Sequence, residues 1–220
     1  MFYRKQKYVE WIVWVACMVV LLRGKNTLEE TVNSEWMPSP RIAITFDDGP
    51  SIYTERLLEG LKERGVKATF FMVGKQAETY PEIVQKAAEE GHLIGNHTYS
   101  HVDITKLEEE DARKEIEKTN QVLQNLTGKP VEYVRPPFGI WEESFEDLQM
   151  LSVMWTVDPL DWTTENVDEI VNKVVTRVAE NDIILMHDCY AASVDAALRI
   201  VDVLQKQGYE FVLVEELLIE

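Results

Sequence analysis

The sequence predicts an α/β fold in which about seven parallel strands and the helices between them form a barrel. From Arg41 onward, short apolar runs alternate with amphipathic stretches, and this alternation is typical of parallel strands joined by right-handed crossovers. Seven strands are one fewer than a complete eight-stranded barrel has. An open, doubly wound sheet is the alternative. Both architectures place active sites at the carboxyl ends of the strands.

Each predicted element has its own local signal. The strands are apolar runs of three to six residues: Ile42–Phe46, Ala68–Val73, Leu93–Asn96, Tyr133–Arg135, Met154–Val157, Ile183–Met186 and Phe211–Val214. The helices carry apolar residues at helical spacing and are bounded by turn or capping residues: 54–65, 81–91, 105–128, 167–180 and 191–208. Pro81 begins the second helix, a Thr105/Glu108 capping box opens the third, and Gly128 ends it.

Composition narrows the range of functions. The chain has 220 residues, is 45% hydrophobic and carries a formal net charge of -17. It therefore has enough apolar residues for one ordinary core. A strongly acidic protein repels phosphate backbones, so we expect no nucleic-acid partner.

The first forty residues have a separate character. Arg4, Lys5 and Lys7 precede an apolar run, Trp11–Leu22, and further basic residues follow it. A basic flank followed by an apolar run is the pattern of an export signal. We expect residues 1–25 to be an uncleaved signal-anchor, with a cleaved signal peptide as the alternative, and residues 26–40 to be a linker. This segment predicts an extracytoplasmic protein whose only membrane contact is its N-terminus.

Chemically reactive residues follow five of the predicted strands. They occur in the motifs TFDDGP (45–50), NHTYSH (96–101), RPPFG (135–139), DPLDW (158–162) and LMHD (185–188). Because the carboxyl ends of parallel strands share one rim, these residues are predicted to form one site. Three of the four histidines lie in these motifs. The fourth, His92, precedes a strand and is expected to be structural.

The spacing of His97 and His101 suggests a metal site. Two imidazoles four residues apart in a helical turn face the same way and can bind one ion. With a carboxylate from a neighbouring strand they form a set that suits a zinc hydrolase. The same set also suits a non-haem iron oxygenase. An additional carboxylate and histidine favour the hydrolase, since hydrolysis needs a base and an acid.

In this order the five motifs resemble the polysaccharide deacetylases, also called the NodB-homology group or carbohydrate esterase family 4. The resemblance runs from about Arg41 to the C-terminus. It implies a distorted (β/α) barrel for the catalytic domain, residues 41–220. It also implies hydrolytic, metal-dependent removal of acetyl groups from a polysaccharide.

The resemblance assigns a role to each motif residue. Asp48, His97 and His101 resemble the ligands of one divalent metal, expected to be zinc, with cobalt or nickel as alternatives. Asp47 resembles the general base, and Arg135 resembles the partner that holds it in place.

The remaining motifs supply the acid and the acetyl pocket. His187 resembles the general acid, and Asp161 the residue that orients it. The backbone N–H near Phe138 resembles an oxyanion donor, while Trp162 and Leu185 resemble the walls of the slot for the acetyl methyl group.

Two departures from the family pattern affect different features. Phe138 stands where tyrosine is frequent, a change that leaves a main-chain donor in place. Trp141 and Phe145 stand where smaller or polar residues are common, and this difference concerns the substrate groove. We expect peptidoglycan as the substrate, with a chitin-type oligosaccharide second. The alternatives are a hydrolase of small amides or O-acetyl esters and a non-catalytic protein that binds wall saccharides.

Overall fold

The computed structural model describes residues 39–141, 145 and 148–218. The predicted signal-anchor and all but the end of the predicted linker lie outside these residues. Among the described residues, seven strands pair in parallel in the order β5-β4-β3-β2-β1-β6, and β7 pairs with the start of β1. The strands are β1 (Arg41–Asp47), β2 (Thr69–Met72), β3 (Leu93–Asn96), β4 (Tyr133–Val134), β5 (Leu151–Ser152), β6 (Ile183–His187) and β7 (Glu210–Phe211). The predicted α/β fold with about seven parallel strands is confirmed.

The helices surround this sheet. They are α1 (Thr54–Glu63), α2 (Gly74–Thr79), α3 (Pro81–Glu89), α4 (Glu109–Thr127), α5 (Val167–Val175), α6 (Ala191–Lys206) and α7 (Val214–Leu218). Gly128 ends α4 in the left-handed conformation, with φ 68°, as the sequence predicts. The predicted capping box is wrong. Thr105 lies in a separate 3₁₀ turn that Asp103 caps, and Glu108 precedes α4 without a side-chain capping bond.

The segment that follows β5, residues 153–157, contacts both edges of the sheet. At its start, the Val153 N–H donates to the Val134 carbonyl at 2.8 Å, and at its end the Leu185 N–H donates to the Val157 carbonyl at 2.9 Å. The predicted strand Met154–Val157 is therefore wrong in its bounds. The strand residues are Leu151–Ser152, and Val157 makes an isolated bridge to β6. This exchange of partners links the two edges of the sheet through one isolated bridge, and the strands form a parallel half-barrel with helices around it.

The main core lies between the sheet and the helices. β1 is buried from Ile42 to Asp47, and the leucines of α1 at 57, 58 and 61 pack against it with no exposed surface. Burial of this apolar surface fixes the strand ends in space. No helix among the described residues is long and apolar enough to span a bilayer.

Candidate active site

The two adjacent aspartates after β1 face different partners. Asp47 is the last residue of the strand and is buried, whereas Asp48 lies in the left-handed region with φ 71°. This turn directs the two carboxylates apart. One oxygen of Asp47 meets Arg135, and one oxygen of Asp48 meets two histidines. Two like charges side by side in sequence thus serve separate parts of the site.

Asp48, His97 and His101 form a candidate metal centre. Their ligand atoms all lie within 4.8 Å of one another. Asp48 Oδ1 is 3.3 Å from His97 Nε2 and 3.0 Å from His101 Nε2. This buried oxygen nevertheless has no partner with hydrogen-bond geometry. A buried carboxylate oxygen and two imidazole nitrogens that converge without bonding one another fit the donor set of a divalent cation.

His97 is held in the tautomer that a metal ligand needs. Its Nδ1 lies 2.6 Å from the Arg135 carbonyl oxygen, which can only accept a hydrogen bond. The proton of the neutral ring is therefore on Nδ1, and the Nε2 lone pair faces Asp48. Burial alone would raise the pKa of Asp48, but the neighbouring His101 and His97 lower it well below its ordinary range. Asp48 is therefore ionised at neutral pH.

The histidine pair does not sit in a helical turn as predicted. Residues 97–101 form a loop in which Thr98 and His101 have positive φ, 61° and 56°. The imidazole rings nevertheless meet, with centroids 5.1 Å apart. The loop is anchored because the Asn96 side chain accepts a hydrogen bond from the Thr98 N–H at 2.8 Å. The loop, rather than helical periodicity, brings the two rings together.

Arg135 holds Asp47 from inside the barrel. Its side chain is completely buried, and its Nη1 donates to Asp47 Oδ1 at 2.8 Å and to Thr45 Oγ1 at 2.7 Å. Its Nε donates to the Val153 carbonyl at 2.9 Å. A charge buried this deeply needs such partners. The guanidinium thus fixes one carboxylate oxygen of Asp47, while the other lies 3.8 Å from His97 Nε2.

His187 is oriented by a buried carboxylate. Asp161 accepts two hydrogen bonds from it, one from the backbone N–H at 2.9 Å and one from Nδ1 at 2.8 Å. Burial alone would lower the pKa of His187, but Asp161 outweighs this effect and raises it to about 9. The imidazole is therefore charged at neutral pH and has a proton to give from its other nitrogen.

One pocket of about 400 Å³ brings the predicted site residues together. Its lining includes both aspartates, the three histidines of the motifs, Trp162 and Leu185, and the Phe138 side chain stands at its mouth, 66% exposed. The Phe138 ring also meets the His101 ring edge-on, with centroids 5.5 Å apart. The pocket has further walls to which the sequence analysis assigned no site role: Pro136, Trp155, Asp158, Leu160 and Tyr190.

Asp158 stabilises the turn that precedes Asp161. Its Oδ1 accepts a hydrogen bond from the Leu160 N–H at 2.7 Å, and Leu160 has φ 55°. This turn reverses the direction of the chain and places Asp161 and Trp162 at the site. Asp158 also lines the pocket itself.

Asp188 joins the loop after β1 to the loop after β6. It has no exposed surface, and its Oδ2 accepts a hydrogen bond from Thr54 Oγ1 at 2.6 Å. Burial raises the pKa of this carboxyl to about 7. A Cβ at Gly49 would lie 2.3 Å from its oxygens, so only glycine fits there. The sequence analysis assigned Asp188 no role, and its position beside His187 was the only signal that pointed to it.

The atypical residues Trp141 and Phe145 do not form the groove. Phe145 is fully buried, packs on Trp141 with ring centroids 5.4 Å apart, and belongs to a small core with Ile116 of α4. The rings of Trp141 and Phe145 therefore cover α4, and neither residue lines the candidate active-site pocket.

The fold and this site define a parallel-strand half-barrel with helices around it and a candidate metal centre of two histidines and one carboxylate, a ligand set that hydrolases use. Residues 35–152, more than half of the chain, match the family of polysaccharide deacetylases. The chain belongs to this family.

Two curated relatives illustrate the family. The chain is 40% identical over 180 residues to a peptidoglycan-N-acetylglucosamine deacetylase of Bacillus cereus, a match that covers 78% of this chain and 66% of the relative. It is 38% identical over 192 residues to the peptidoglycan-N-acetylmuramic acid deacetylase PdaC of Bacillus subtilis, covering 86% of this chain and 40% of the relative. The chain thus spans less than two thirds of either relative.

Solved structures agree with the fold. The structure of PdaC superposes with a TM-score of 0.79 at 38% identity, over 81% of this chain and 90% of that chain. A protein of Bacillus anthracis described as a CE4 family pseudoenzyme superposes with a TM-score of 0.76 at 29% identity, over 82% of this chain and 66% of that chain. Because the same fold occurs in a pseudoenzyme, activity must be argued from the site residues.

Proposed function

We propose that this chain hydrolyses the N-acetyl groups of N-acetylglucosamine-type sugars in peptidoglycan and releases acetate. The observation that carries the proposal is the convergence, in one pocket, of the Asp48/His97/His101 centre with Asp47 and His187. A binding protein would need neither the buried Arg135–Asp47 pair nor the charged His187. Both groups suit the two proton transfers of amide hydrolysis.

Asp47 acts as the general base in this proposal. Arg135 fixes one of its oxygens, so the other is left to take the proton from the attacking water. The metal, proposed to be zinc, would polarise the acetyl carbonyl and make the water more acidic. Asp48, His97 and His101 would hold it, and the two imidazoles and one carboxylate leave positions open for water and substrate.

His187 acts as the general acid. An amide nitrogen leaves poorly unless it gains a proton, and His187 is positively charged through its contact with Asp161. The Phe138 backbone N–H is proposed to stabilise the oxyanion. Trp162 and Leu185 are proposed to enclose the acetyl methyl group, and both line the pocket.

The N-terminal sequence supports a proposal on the location of the protein. We propose that residues 1–25 anchor the chain in the membrane and that residues 26–40 link this anchor to an extracytoplasmic catalytic domain, residues 41–220. The basic flank and the apolar run Trp11–Leu22 support the proposal. Protease treatment of intact cells that express the chain tests it. Digestion of the catalytic domain is expected, and full protection would contradict the proposal.

Acetate release from matched substrates tests the activity. The full-length chain is incubated with purified peptidoglycan, with N-acetylglucosamine oligomers and with small N-acetyl amides, and mass spectrometry locates the sugar that lost its acetyl group. We expect release from peptidoglycan to be fastest and to disappear with Asp47→Asn. Release from small amides alone would replace the proposal with a small-amide hydrolase, and tight binding without release would indicate a saccharide-binding protein.

A further inference from the structure

The loop of residues 97–101 carries two of the candidate metal ligands, and its backbone needs support from outside the loop. Thr98 and His101 have positive φ, 61° and 56°. Residues other than glycine adopt this conformation at a cost in free energy, and they keep it only where surrounding contacts hold them. His101 is one of the two, so the backbone conformation from which its ring reaches Asp48 is a costly one. The contacts that hold the loop therefore determine how well the ligands stay in place.

Glu115 of α4 holds this loop with both of its carboxylate oxygens. Ser100, the residue before His101, donates its backbone N–H to Glu115 Oε2 at 2.7 Å and its hydroxyl to Oε1 at 2.8 Å. Hydrogen bonds to a charged acceptor are stronger than bonds between neutral groups, and two of them on one residue also fix its orientation. Glu115 lies outside the five motifs, fifteen residues further along the chain than Ser100. None of the roles assigned above uses this carboxylate.

Helix α4 gives Glu115 a firm support. The next residue, Ile116, has no exposed surface and packs into the small core under the helix. The helix also holds the start of the loop, because the Asn96 side chain donates to the Ile116 carbonyl at 2.8 Å and to Asn120 Oδ1 at 2.7 Å. One packed helix thus fixes the chain at Asn96 and again at Ser100, on either side of the first histidine.

The opposite side of the loop is held by α2. The backbone N–H groups at the start of α2 donate to the Thr98 and Tyr99 carbonyls at 3.0 Å and 2.9 Å. These bonds hold the first half of the loop, whereas Glu115 holds Ser100, which is next to His101. Loss of Glu115 would therefore leave the first half of the loop in place and release the part beside the second histidine.

We propose that Glu115 is a positioning residue for the metal centre: it fixes Ser100 so that His101 keeps the backbone conformation from which its ring reaches Asp48. The inference rests on the metal centre of the proposed function, and it names a residue outside the motifs that sets how tightly the metal binds. Without Glu115 the backbone at His101 can relax, and the loop must be ordered again when a metal binds. This ordering lowers the affinity.

Zinc affinity tests the proposal without relying on turnover. The full-length chain is stripped of metal, and its zinc affinity is measured by competition with a coloured chelator. Glu115→Ala should bind zinc about tenfold more weakly, or weaker still. Glu115→Gln keeps one acceptor oxygen for Ser100 and should recover part of this loss. The matched control is Glu117→Ala, which removes an exposed carboxylate from the same helix and should leave zinc affinity unchanged.

Two further measurements separate positioning from general stability. In the metal-free chain, hydrogen exchange should become faster in the peptide that contains Ser100 when Glu115 is replaced by alanine, and it should not change in β1. The unfolding temperature of metal-free Glu115→Ala should change little, because the buried face of α4 is untouched. Ser100→Ala removes the hydroxyl donor and should add no further loss of zinc affinity in the Glu115→Ala background, since both changes remove the same contact.

Three outcomes would overturn the proposal. They are an unchanged zinc affinity in Glu115→Ala, an equal loss of affinity in Glu117→Ala, and additive losses when Ser100→Ala and Glu115→Ala are combined. The second would show that the charge of α4, rather than the bond to Ser100, sets the affinity. If Glu115→Ala weakens zinc binding as expected but the unmodified chain releases no acetate, the role of Glu115 stands and the proposed activity fails. An unmodified chain that binds no zinc would overturn both.

Discussion

Replacing Arg135 by methionine tests whether the buried ion pair with Asp47 is desolvated as the structure shows. The Arg135 side chain has no exposed surface, and that of Asp47 has 4%. Removing one partner of a buried pair leaves the other charge unpaired, which typically costs about 3–5 kcal/mol. For a domain of this size, each kcal/mol lowers the unfolding temperature by about 2–4 °C. Arg135→Met should therefore unfold about 6–20 °C below the unmodified chain, measured by thermal unfolding of the two chains under the same conditions.

A double variant and a surface control make the result specific. In Asp47→Asn/Arg135→Met both charges are gone, so stability should recover by about 2 kcal/mol relative to Arg135→Met alone. Arg199 forms an exposed pair with Asp168 at 2.7 Å, and Arg199→Met should cost less than about 1 kcal/mol. Unfolding of Arg135→Met within about 1 kcal/mol of the unmodified chain, or no recovery in the double variant, would refute the reasoning.

Three further predictions follow from individual groups. Since the pKa of His187 is raised to about 9, acetate release should persist through neutral pH and fall as pH rises through about 9. Asp161→Asn removes the main cause of the raised pKa and should move this fall to lower pH. An unchanged pH–rate profile in Asp161→Asn would show that His187 is not the general acid. Burial lowers the pKa of His92 from its ordinary 6.5 to about 4. Between pH 6.5 and pH 4 the unfolded chain therefore binds more protons than the folded chain does. The free energy of unfolding should fall by about 3 kcal/mol as the pH drops across this range. His92→Gln should remove that part of the pH dependence of the unfolding temperature, and an identical dependence would show that His92 titrates normally in the folded chain. Gly49→Ala should destabilise the chain by about 1–3 kcal/mol, because its Cβ would lie 2.3 Å from the Asp188 oxygens. Adding Asp188→Ala to this variant should recover part of the loss. Equal losses in Gly49→Ala and in the double variant would show that the strain does not arise from Asp188.

The strand ends could be predicted because the signal for them is local. Asp47, Asp48 and His187 follow apolar runs that are buried on both faces, and the parallel topology then brings them to one rim. The bounds of the fifth strand could not be predicted in the same way. The run Met154–Val157 has the composition of a strand, but pairing depends on neighbours. The nearby residues 151–153 pair with β4, whereas Val157 pairs with β6.

Other features depend on contacts between distant segments. His97 and His101 meet through a loop with two left-handed residues, which no periodicity reveals. The short helix α2 buries only Gly74 and Ala77, so it lacks an apolar pattern. A cleft of about 670 Å³ beside the candidate active site combines Tyr53, the loop after Asp161 and the start of α6. These segments are far apart in sequence, and only the folded barrel brings them together.

Metal content and acetate release, measured together, test the central claim most directly. The full-length chain, Asp47→Asn and His97→Ala are assayed on peptidoglycan as purified, after chelation and after zinc is added back. We predict that chelation stops release and zinc restores it, that Asp47→Asn keeps the metal but releases no acetate, and that His97→Ala loses both. Two results would contradict the account. One is acetate release that continues after complete removal of the metal. The other is loss of the metal from Asp47→Asn together with retention of the metal by His97→Ala.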